Sequence, residues 1–71
     1  MKAIELFNLT MDNLIVNDEE TDMELFDSRR NFNGKGDHSK FLNGIVTSIW
    51  FNTIEEVIEC YVLHNSWIDS D

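Results

Sequence analysis

The chain contains no proline, one cysteine, three glycines and five cationic residues among 71. The lone Cys60 excludes an internal disulfide and any zinc site built on paired cysteines. Without proline, and with glycine only at 34, 36 and 44, the turns fall to Asn, Asp and Gly. No window approaches the roughly 18 consecutive apolar residues of a membrane-spanning helix. No apolar signal-peptide core precedes Glu5. These absences predict a cytoplasmic location and no membrane partner.

The five cations face 14 acids, which leaves a net charge of −9. A chain of that sign is repelled by nucleic acid at long range and attracted to basic protein surfaces. Four cations, Arg29, Arg30, Lys35 and Lys40, cluster between residues 28 and 44 against Asp37 alone, while Asp18, Glu19, Glu20 and Asp22 form the densest acidic run. Four cations on so acidic a chain predict no direct nucleic-acid partner.

What is present suffices for a core: 42% of residues are hydrophobic and 11% aromatic. Residues 1–71 read as one small domain whose core supplies only ~3–5 kcal/mol, so a self-associated or partner-bound form is expected.

Along the chain, residues 2–9 (KAIELFNL) hold too many apolar positions to fix a period, and read as a strand with both faces partly covered in preference to a short helix using Ala3, Phe7 and Met11. Residues 14–16 and 23–26 pair as a hairpin around the polar connection 17–22. Asn33-Gly34 and Gly36 mark a loop. Asn43-Gly44, between Phe41-Leu42 and Ile45-Val46, predicts a type I′ hairpin turn. Beyond it, alternation sets Ile45, Ile49 and Phe51 on one face and Val46 and Trp50 on the other, and both faces want cover. Thr53-Ile54-Glu55-Glu56 matches a capping box. Ile54, Val57, Ile58, Tyr61 and Val62 recur at helical spacing, which predicts a helix over 53–66. Cys60, Leu63 and Trp67 would share its back with Glu56 and Glu59, an apolar patch bordered by acids. The predicted fold class is α+β, a small antiparallel β-sheet of three to five strands with one C-terminal amphipathic helix packed on it.

Chemistry is sparse. Cys60 and His64, one turn apart on such a helix, offer a nucleophile pair or half a metal site. Yet Glu56 and Glu59 beside the thiol would raise its pKa, and no second cysteine completes a tetrahedron. The run 18–22 lacks the ligand pattern, central glycine and closing Glu of a calcium loop. Gly34-Lys35-Gly36 lacks the spacing of a phosphate loop. The chain therefore reads as no enzyme, with no cofactor and no metal.

The remaining reading is macromolecular binding. Small, proline-free, Asn/Asp/Ile-rich acidic chains without a catalytic constellation resemble phage or mobile-element products that block host restriction, repair, transcription or CRISPR machinery. That likeness is of composition only. It implies an inhibitor that occupies the basic surface of a nucleic-acid-binding enzyme or complex. Asp18, Glu19, Glu20, Asp22 and Glu24 would form the phosphate-like surface, Leu63 and Trp67 the apolar anchor, and Glu56 and Glu59 its acidic border. The alternative is a structural or regulatory homodimer, formed through the uncovered face of residues 45–51 and the basic loop.

Overall fold

The computed structural model describes residues 1–10, 13–31 and 39–68. Met11, Phe32, the Asn33–Gly36 turn with Lys35, Asp37, His38, Asp69 and Asp71 lie outside the described residues. The elements, in order, are α1 (Ala3–Thr10), β1 (Leu14–Asp18), β2 (Glu24–Asp27), α2 (Ser28–Asn31), a 3-10 turn (Ser39–Asn43), β3 (Val46–Asn52) and β4 (Val57–Val62). The strands form one mixed sheet in the order β2-β1-β4-β3. β1 pairs antiparallel with β2 but parallel with β4, and β3 pairs antiparallel with β4. The expected antiparallel sheet with a C-terminal helix is therefore incorrect: the sheet is mixed, and its packing helix is N-terminal.

Residues 2–9, read as a strand, instead build α1. Ala3 and Leu6 are buried, with Ile4 and Phe7 packed beside them, which is a helical stripe rather than an alternation. The Thr10 hydroxyl donates back to the Leu6 carbonyl oxygen, one turn earlier, at 3.0 Å. This stripe sits on the sheet face formed by Leu14, Val16, Phe26, Cys60 and Val62, with Phe7 edge-on to Phe26 at 5.8 Å.

The helix predicted over 53–66 is also incorrect. The Asn52 side-chain oxygen accepts the N–H groups of Ile54 and Glu55, both at 3.1 Å, so Asn52 rather than Thr53 closes a turn there. The backbone then enters the left-handed region at Glu56, φ 57°, and leaves as β4. This strand lies between β1 and β3, with Val57, Cys60 and Val62 fully buried. A central strand covered on both faces reads as a nearly continuous apolar run. Over six residues such a run also fits a helical stripe.

The hairpin over 14–27 is as expected, with a bulge between Val16 and Asn17 that leaves Leu25 unpaired. Asn43-Gly44, by contrast, does not turn a hairpin: residues 39–43 form the 3-10 turn, and the Gly44 N–H donates to Phe41 O at 3.0 Å. Glycine is needed here for a close approach, because a Cβ at 44 would meet Val62 Cβ at 2.8 Å. Ile49 and Phe51 share one face and Trp50 the other, as expected, but a second bulge between Val46 and Ser48 moves Val46 to the face of Ile49 and Phe51. That face is the helix side, while Ser48, Trp50 and Asn52 share the other side with Glu59, Tyr61 and Val57. Among the described residues, no helix is long and apolar enough to cross a membrane.

Candidate functional site

Asp18 ends β1 and is buried, 3% exposed. Its Oδ1 accepts the N–H groups of Glu20 (2.8 Å) and Thr21 (3.3 Å), and its Oδ2 accepts His64 Nδ1 at 2.6 Å. Burial opposes ionisation of this carboxyl, but the His64 hydrogen bond and the two backbone N–H groups outweigh it and hold the pKa below its ordinary value. The same hydrogen bond raises His64 above its ordinary value, against a smaller desolvation effect. A buried carboxylate with its oxygens filled organises a turn rather than receiving a partner.

What Asp18 organises is the acidic tip of the β1–β2 hairpin. The Asp22 N–H donates to Asp18 O (2.8 Å), Asp18 N–H to Met23 O (2.9 Å), and Asp22 takes a left-handed φ of 61°. Glu19, Glu20, Asp22 and Glu24 are exposed around this turn. The Glu19 N–H donates to Val62 O at 3.0 Å, so the tip lies against the end of β4, where Leu63 is exposed. The first acidic group of the sequence reading and one of its apolar anchors thus share one end of the sheet.

The rest of that set is dispersed. Glu56 stands in the turn before β4, at the opposite end of the strand from Val62. Trp67 is half-buried, edge-on to Phe41 at 5.2 Å and to His64 at 6.0 Å, and packs against the core. Glu59 lies on the face away from α1, where Asn17 Nδ2 donates to Oε1 (3.0 Å) and Asn52 Nδ2 to Oε2 (2.9 Å). The bordered patch drawn for the back of a helix does not exist as one surface, since on a strand these side chains alternate between faces.

Tyr61 and Trp50, which the sequence reading did not select, stand beside Glu59. Trp50 lies opposite Glu59 across β3–β4, and Tyr61 is the next residue of β4 on the same face. Burial and the nearby Asp22 and Glu59 charges raise the Tyr61 pKa above the ordinary value. The acidic tip thereby continues onto a face bearing two amphipathic aromatics, the residue types enriched at protein interfaces. The alternation of Ser48, Trp50 and Asn52 was the one signal available in the sequence, and the Thr47 bulge hid its register.

Among the described residues, Arg29, Arg30 and Lys40 are engaged within the chain. Arg29 Nε and Nη2 donate to Oδ1 and Oδ2 of the buried Asp27 at 3.1 and 3.0 Å, and Nη2 also reaches Glu55 at 3.0 Å. Arg30 lies 3.5 Å from Asp27 and 3.6 Å from Glu24. Lys40 sits 5.3 Å from the centre of the Phe41 ring. Asp27 resists ionisation through burial, yet the Arg29 side chain and N–H, with Arg30, bring its pKa below the ordinary value.

The Cys60–His64 pair also dissolves on a strand. Cys60 points into the core with its thiol pushed up to about 12 by burial, while His64 faces Asp18. A thiol in that state is neither nucleophile nor ligand near neutral pH. Among the described residues, no three His, Cys, Asp or Glu side chains gather as a metal site. The chain matches no family model, no curated protein and no solved structure.

Proposed function

We propose that the chain is a small acidic inhibitor that binds the basic surface of a nucleic-acid-processing protein in the cytoplasm and excludes its substrate without turnover. The observation that supports this reading is the ordered acidic tip. Glu19, Glu20 and Asp22 project from a turn whose amides are tied to the buried Asp18, so little ordering entropy is spent when a partner docks. Leu63 at the same end supplies an apolar contact, and Tyr61 and Trp50 continue the surface across the sheet. Glu19, Glu20, Asp22 and Glu24 pair with Arg or Lys of the partner, where phosphates would otherwise lie. Asp18 supports the tip from within.

Association steered by charge is salt-sensitive, and reversing exposed acids slows it more than it speeds dissociation. The test is affinity capture from nuclease-treated lysate of the natural host, followed by competition of the captured protein against labelled nucleic acid. The reading expects one basic protein, released by high salt, whose nucleic-acid binding the chain blocks. It also expects a triple Glu19→Lys, Glu20→Lys, Asp22→Lys variant to lose both effects. Binding indifferent to salt and to those reversals contradicts it.

A further inference from the structure

β3 is an edge of the sheet. Its first residues are already served on the outer side: Val46 N–H donates to Met1 O at 2.8 Å, and Lys2 bridges Ile45. Beyond the bulge, Ser48–Asn52 forms a regular run of five residues paired only with β4 among the described residues. This run, Ser-Ile-Trp-Phe-Asn, has no charge and no proline. Ile49, Trp50 and Phe51 are 47%, 46% and 53% exposed. Among the described residues, that edge lacks the charges, prolines and covering elements by which proteins block strand addition.

We propose that Ser48–Asn52 of β3 pairs antiparallel with the same segment of a second copy, about a twofold axis at Trp50, joining two four-stranded sheets into one of eight strands. This register is self-complementary. Trp50 meets Trp50 of the partner copy, and Ile49 meets Phe51 on the helix side, twice. Ser48 meets Asn52, also twice. These are aromatic, aromatic–aliphatic and polar pairs of the kinds that stabilise adjacent strands.

Charge placement points to a second copy: in this register the exposed Glu55 and Glu56 of each β3–β4 turn face the end of the other copy's β3, where Met1 and Lys2 flank Ile45 and Val46. The acidic hairpin β1–β2 occupies the opposite edge from β3. Pairing through β3 therefore puts the two acidic edges at the far sides of the joined sheet, where repulsion between chains of −9 is weakest. A basic partner would be drawn to the other edge. The area sets the strength: half-exposed aromatics of ~200 Å² each, with Ile49, contribute about 300 Å² per copy. That places the contact among weak, concentration-dependent interfaces.

The inference shares Trp50 with the inhibitor reading but does not rest on it, because it needs no partner protein and is read on the purified chain alone. The test is sedimentation of the purified chain across micromolar to millimolar concentration, at low and high salt, beside Trp50→Lys. A second arm oxidises Trp50→Cys and Ser48→Cys chains, with the buried native Cys60 as a silent background. The proposal expects a dimer that persists or strengthens in high salt, and its loss in Trp50→Lys with unchanged circular dichroism. It also expects rapid disulfide linkage of Trp50→Cys chains, whose paired Cα atoms would lie ~4.5–5.5 Å apart. Ser48→Cys chains, displaced by four residues from one another in this register, should not link. A monomer at every concentration overturns it, as does a dimer that survives Trp50→Lys or dissolves in salt. Faster linkage through Ser48→Cys than through Trp50→Cys overturns the register and with it the proposal.

Discussion

The two edges of this sheet are finished in opposite ways. β2 is four residues long, bulged at Leu25, and flanked by Glu24, Asp27, Arg29 and Arg30, whose charges pair with one another. β3 is seven residues long and uncharged, with its largest apolar side chains half-exposed. A short, bulged, charged edge resists further pairing, and a long neutral one invites it. In a protein of 71 residues the contrast teaches a division of surface. One edge is closed by charges that pair with one another, and the other carries the apolar surface that a small core leaves uncovered.

The largest effect that would break this comparison lies at the β2 edge. Asp27→Ala removes the acceptor of three Arg29 hydrogen bonds and should cost about 2–3 kcal/mol in chemical denaturation, the scale of hydrogen bonds to a charged group. Trp50→Lys on the open edge should cost under about 1 kcal/mol as a monomer. Equal losses at the two positions would mean that the edges are not finished differently. Next in size is Gly44→Ala behind the start of β3. Its Cβ would press on Val62, and overpacking of that kind costs about 2 kcal/mol. The same denaturation series checks it.

A smaller effect, sharper in form, concerns the Asp18–His64 pair that holds the acidic tip. His64 titrates above its ordinary 6.5 in the folded chain. Its stabilisation is therefore complete below 6.5 and lost as pH rises through the raised folded value. Asp18 titrates below its ordinary 3.8, so its contribution is complete above 3.8 and lost as pH falls through the depressed value. Replacing His64→Gln should thus lower stability more at mildly acidic pH than in alkaline buffer. A pH-independent loss would show that the pair acts by shape alone.

The same contrast explains what could be read from the residues. The acidic hairpin was legible because an apolar run, a polar turn and a second apolar run lie within one short segment, where local chemistry decides the pairing. The role of Asp18 was not, since its partner is 46 residues away and no local pattern marks it as buried. β4 is ambiguous in sequence because Ile54, Val57, Ile58, Tyr61 and Val62 satisfy a helical stripe as well as a covered strand. The decision belonged to Asn52, whose side chain takes the amides that a helical cap at Thr53 would have used. Residues 2–9 carry apolar side chains at so many positions that strand and helix both fit, and only the sheet face beneath Ala3, Leu6 and Phe7 decides for α1. Trp50 and Tyr61 are not legible as neighbours, because they meet only when β3 and β4 are paired strands.

The inequality of the edges is open to direct measurement by amide hydrogen exchange, read residue by residue at low and at high protein concentration. Dilute, the outward amides of Ser48–Asn52 should exchange faster than those of β1 and β4, which sit inside the sheet. Concentrated, they should slow, while the amides of Glu24–Asp27 keep their rates. Exchange along β3 that ignores concentration, or slowing confined to β2, would contradict the account.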